Sequence, residues 1–159
     1  VAQALVAPPF DQRARPALVG RVVHHEQANA VERAGRLIRT GQAQSSGMTA
    51  AQFKDKVCEN AANYIDCTSK LTVHVQSWTD FASVTPKACL DSSGNLSATG
   101  GSSSDPIGNN AGGASAVVLI TVCYEWELAS RLPFLRLGKM SNGSALIQAA
   151  TTFRTEPYQ

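Results

Sequence analysis

From residue 145 to 153 the chain alternates: Ala145, Ile147, Ala149, Thr151 and Phe153 share one side, and Leu146, Gln148, Ala150, Thr152 and Arg154 the other. That is the period-2 signature of a half-buried strand. Pro157 cannot donate to a ladder, so pairing is predicted to stop just before it. Leu71, Val73 and Val75 alternate with Thr72, His74 and Gln76, which predicts a strand over residues 70–78 with one covered face and His74 on the outer one. Residues 116–126 are apolar almost throughout and rich in β-branched side chains, the mark of a central strand covered on both sides.

The period changes to 3.6 nearer the N-terminus. Ala30, Val31, Ala34, Leu37, Ile38 and Gly41 form one apolar stripe, with Glu32, Arg33, Arg36 and Arg39 around it. This predicts a helix over about residues 22–40, closed by a left-handed Gly41. A second helix starts at Thr49, where Gln52 completes a capping box and Met48 and Phe53 are placed as a hydrophobic staple. Phe53, Val57, Ala61 and Tyr64 or Ile65 would line its buried face, with an end near Ile65.

Between the first two predicted strands lies a long connection, residues 79–115, whose second half is rich in Gly, Ser and Asn. Such loops are functional or disordered, and disorder is the expectation over about residues 91–114. Asp91, Ser93 and Asn95 have the spacing of a calcium loop, but no acid stands at the twelfth position. After the central strand, Leu128, Leu132, Phe134, Leu135 and Leu137 crowd around Pro133, ahead of a turn at Ser141, Asn142 and Gly143. That patch either closes the open end of the core or contacts a partner subunit or a membrane face.

At 159 residues and 43% hydrophobic content the chain can bury a core as one soluble, globular domain, residues 21–159. Residues 1–20, with Pro8, Pro9 and Pro16, are expected to be extended or disordered. The net charge of +2 is too small to indicate nucleic acid. Arginines outnumber acids in the first 45 residues, which fits a solvated helix better than an anionic partner.

Cys58, Cys67, Cys89 and Cys123 form an even set without a CxxC pair, so disulfides are a better reading than zinc. Three connectivities are possible. The favoured one joins Cys58 to Cys67, a helix end to the next strand, and Cys89 to Cys123, the long loop to the central strand. It implies an oxidising compartment. No cofactor, metal or catalytic group is predicted. His24 and His25 are adjacent and point about 100° apart on a helix, so they cannot share a metal. Glu125 and Glu127 flank Trp126 without a defined cleft, and there is no GxSxG, P-loop or HExxH pattern.

The ending Phe153-Arg154-Thr155-Glu156-Pro157-Tyr158 resembles the close of TadE-like proteins, minor pilin-like components of tight adherence (Flp) pili. Residues 36–42 resemble that family's helix end. Residues 48–53 with Val57 and Cys58 resemble its second helix, and residues 122–126 its central strand. The resemblance covers roughly residues 28–159.

It implies an α+β, pilin-like fold: an N-terminal helix and a second helix packed on an antiparallel sheet of three or more strands. It also implies a non-enzymatic role in assembling a type IV pilus, at the periplasmic or extracellular face. Partners would be other pilus or pseudopilin subunits and the assembly machinery, with no nucleic acid. The family is inner-membrane anchored. Residues 4–10 look like the start of such an anchor, but residues 11–16 depart from it and no run of about 18 apolar residues follows; the expectation is a solubilised or truncated form.

Expected contacts are Leu132, Phe134, Leu135 and Leu137, together with Leu37 and Ile38 of the helix stripe. Arg36, Arg39, Arg154, Glu156 and Pro157 carry the family motif, and Glu156 is expected to accept hydrogen bonds from Arg36, Arg39 or nearby backbone amides. The alternative is a secreted, disulfide-stabilised enzyme, ligand-binding or adhesin domain with its site in the long loop.

Overall fold

Strand β2 (Val117–Trp126) runs through the middle of a three-stranded antiparallel sheet, with β1 (Leu71–Trp78) on one side and β3 (Ala145–Arg154) on the other. The computed structural model describes residues 28–61, 66–98, 104–127 and 140–157. Residues 1–20, His24, His25, Tyr64, Ile65, Leu128, and the contact residues Leu132, Phe134, Leu135 and Leu137 lie outside them. Helix α1 is described over residues 28–39, followed by α2 (Gln42–Ser45), α3 (Ala50–Glu59), α4 (Cys67–Lys70) and α5 (Gly108–Ala111). The chain is thus an α+β fold.

The register pairs Val73 with Val122 and Val75 with Ile120 on β1, and Val122 with Ala149 and Val118 with Phe153 on β3. These residues form one sheet face, and the helices pack on it. Ala30, Val31, Ala34 and Ile38 of α1 join Phe53 and Val57 of α3 in the same buried cluster. Gly35 lets α1 sit close, since a Cβ there would stand 3.2 Å from Ile120 and from Phe153. The stripe therefore seats α1 on its own sheet. Ile38 is fully buried and Leu37 only partly so, which makes Leu37 the accessible member of the expected contact pair.

Helix ends follow local chemistry. Thr49 and Gln52 make the reciprocal capping box, at 2.9 and 3.2 Å, and Gly41 adopts φ 74° beyond α1. Helix α3 stops at Glu59, earlier than predicted. Asn60 caps it there, its side chain donating back to the Lys56 carbonyl at 2.8 Å, and Cys58 is already committed to Cys67. Lys70 ends α4, so β1 begins one residue later than expected.

Both disulfides pair as favoured, with Cα atoms 5.7 Å apart in each. They close loops of sequence separation 9 and 34, which on chain entropy stabilises the fold by about 2.5 and about 4 kcal/mol. They point to an oxidising, extracytoplasmic environment. No helix among the described residues is long and apolar enough to cross a membrane.

The connection expected to be disordered is hydrogen-bonded along most of its described length. Leu90 bridges Leu96, and Asp91 accepts from the amides of Ser93 and Asn95 at 2.8 and 3.0 Å. Asp91, whose spacing with Ser93 and Asn95 matches a calcium loop lacking its twelfth-position acid, serves as a turn cap. Ser141 then ties this strap to the β2–β3 turn, through the Gly94 carbonyl at 3.0 Å and the Asn95 side chain at 2.6 Å.

Candidate functional site

Three polar places outside the helix-covered core carry chemistry, and each is built differently. The first is the strap over the second face of the sheet. His74, expected on an outer face, is 1% exposed because residues 88–97 close over it. The period-2 reading of its side was right, but nothing local in β1 announces the cover. Ser97 Oγ donates to the Ala88 carbonyl at 2.7 Å, so it accepts from His74 Nε2–H at 3.1 Å. That assignment leaves Nδ1 unprotonated, buried and without a partner. Burial, reinforced by the nearby Lys87 charge, pushes the His74 pKa below its usual 6.5. The serine proton is directed away from the imidazole, and no acid among the described residues bonds the ring, so the pair as described lacks the geometry of a nucleophile and its base.

The second place is the end of the sheet. Glu125 is 9% exposed, and its carboxylate accepts from Asn142 Nδ2 and from Ser144 Oγ. Lys70 Nζ stands 3.7 Å from Glu125 and ion-pairs with Glu127. The hydrogen bond to Glu127, helped by the Glu125 charge, holds the Lys70 pKa above its usual value. Glu125 is therefore committed to locking the turn before β3, where Gly143 takes φ 80°, and Glu127 to the Lys70 ammonium at the start of β1.

The third is a cleft of about 390 Å³ between α1 and the end of β3. Arg33, Arg36 and Arg39 line it from the helix, spaced i, i+3, i+6 on one edge, with Glu32 beside them. Thr151, Phe153 and Glu156 line it from β3 and its exit. Arg39 stacks over the Phe153 ring, its Cζ 4.9 Å from the centroid.

The chain's ending builds this cleft through its main chain. Glu156 was expected to accept from Arg36, Arg39 or nearby backbone amides; instead its amide N–H donates to the Arg39 carbonyl at 2.8 Å. Its carboxylate is exposed and has no hydrogen-bond or ion-pair partner among the described residues. The helix-to-strand tie exists, with the polarity reversed. The end of α1 leaves carbonyls unpaired, so a strand amide is the natural partner there and a carboxylate is not.

Thr155, not among the expected site residues, is the buried anchor of the ending. Its amide donates to the Ala116 carbonyl at 2.9 Å and its hydroxyl to the Gly113 carbonyl at 2.8 Å. Its signal was the period of the last strand, which continues inward from Phe153 to Thr155. Arg154 and Glu156 do not share a face, because β3 ends at Arg154. Arg154 lies 5.9 Å from the Phe81 ring centroid on the other side, while Glu156 opens into the cleft. Pro157 is exposed, three residues beyond the strand end.

Comparison with protein-family models, with curated proteins and with solved structures returns no match to this chain.

Proposed function

We propose that the chain is a non-enzymatic, pilin-like subunit of the TadE-like kind, acting through protein contacts in assembly of a tight adherence pilus at the extracytoplasmic face. The observation that carries this reading is the tie at the ending. A helix lies along an antiparallel meander, and the motif resembling the family's close returns to that helix through Glu156 N–H and the Arg39 carbonyl. Two disulfides beside a buried apolar cluster suit a subunit that must persist outside the cytoplasm.

The test is deletion of the gene in its host, with filaments counted by electron microscopy. Loss of pili, restored by the wild-type gene, is expected. Undiminished pili would overturn the proposal. The α1–β3 cleft favours a second reading, a secreted ligand-binding domain, and pull-down from the extracytoplasmic fraction separates the two. Recovery of pilus subunits supports the first, and recovery of a non-pilus ligand the second.

A further inference from the structure

We propose that the α1–β3 cleft is a receptor for a carboxylate-bearing segment of another polypeptide. Three guanidinium groups line it, and those of Arg33 and Arg36 have no partner among the described residues. An arginine fork left unpaired on a surface is suited to bidentate binding of a carboxylate.

Two further features narrow the ligand. Glu32 and Glu156 stand among the arginines, so a uniform polyanion such as nucleic acid or an anionic lipid sheet would meet repulsion at two positions. A polypeptide can place its acids against arginines and spare the rest. On the β3 side the cleft is lined by the half-buried Thr151 and by Phe153, which is 6% exposed under Arg39, and the small apolar surface left there suits short aliphatic side chains set between the acids of the segment.

The receptor is also held in shape. Gly35 seats α1 against Ile120 and Phe153, the Arg39 guanidinium is stacked on Phe153, and the Glu156 amide fixes the strand exit to the helix end. A preformed site loses less ordering entropy on binding. This assigns a partner chemistry to the contact protein proposed above, and rests on that reading only for the source of the segment.

The experiment uses the full chain and a fluorescein-labelled hexapeptide of alternating valine and glutamate, read by fluorescence anisotropy at low salt. The control peptide carries glutamine in place of glutamate. Binding at least about tenfold tighter for the glutamate peptide is expected, which corresponds to about 1.4 kcal/mol. Arg36→Ala should weaken it about tenfold, Arg36→Lys should restore part of the loss, and Glu32→Gln should tighten it a few-fold.

Lys56→Gln, on α3 and paired to Glu59, should leave it unchanged. Arg36 is exposed, so the variant should fold, and circular dichroism checks that. Arg33→Gln provides a second variant with the same expected direction. Equal binding of both peptides, or an unchanged affinity in Arg36→Ala and Arg33→Gln, would overturn the proposal. So would displacement of the peptide by millimolar inorganic phosphate, or equal binding to vesicles of anionic phospholipid. Failure of the peptide to bind leaves filament assembly to be judged by the deletion, and normal pili after deletion leave peptide binding standing.

Discussion

The two faces of the sheet are covered in opposite ways. On the helix face, Val73, Val75, Val118, Ile120, Val122 and Phe153 meet α1 and α3 in a buried apolar cluster held by shape. On the other face, residues 79–98 cross β1 and β2 and are held there by a disulfide to Cys123, the Ser97–His74 hydrogen bond, and the Lys87 amide to the Gln76 side chain at 3.0 Å. That cover stops short of β3, where Gln148, Ala150 and Thr152 are exposed. A face built on volume is sensitive to deleted atoms. One built on a crosslink and a buried imidazole is sensitive to redox state and pH.

The largest expected effect lies on the helix face. Phe53 is 0% exposed at the centre of the cluster, and Phe53→Ala should lower unfolding free energy by about 3–5 kcal/mol, by lost transfer energy plus the cavity. Urea denaturation followed by circular dichroism measures it. A loss below about 1 kcal/mol would mean that the helices are not held by this packing.

The second face should respond less to truncation and more to chemistry. Replacing Cys89 and Cys123 together with alanine should remove up to about 4 kcal/mol on the chain-entropy account. If global stability hardly changes while proteolysis becomes fast within residues 88–97, the strap is a separately opening unit and the two faces are not one cooperative structure.

The smallest effect sharpens the contrast. His74 has a depressed pKa when folded, so between that value and 6.5 the unfolded chain binds more protons than the folded one. Stability is fully present above pH 6.5 and declines as pH falls through that window. His74→Asn should flatten this slope, and a wild-type profile flat between pH 7 and 5 would contradict the burial argument.

Much of this was legible beforehand, and the reasons are local. The Thr49–Gln52 box, the left-handed Gly41, the turn at Gly143 and the alternation of β3 each depend on residues a few positions apart. The favoured cysteine pairing followed from the same element map. What escaped were covers and ties made by distant segments. A strand's period assigns His74 to a side, but whether that side is wet depends on where residues 88–97 come to rest. The end of α3 was misplaced because periodicity continues past the cap at Asn60.

The sequence by itself determined α1, the start of α3 and the three strands, the inward faces of these elements and the charge along α1, since each is written in short-range spacing of side chains; the short helices α2, α4 and α5 were not legible in it. The tertiary structure alone decided that His74 is buried, that Arg33, Arg36 and Arg39 meet Phe153 and Glu156 across a cleft, and that the ending binds α1 by its amide. Main-chain hydrogen bonds carry no side-chain signature, and a cleft exists only once the two elements that line it are packed together.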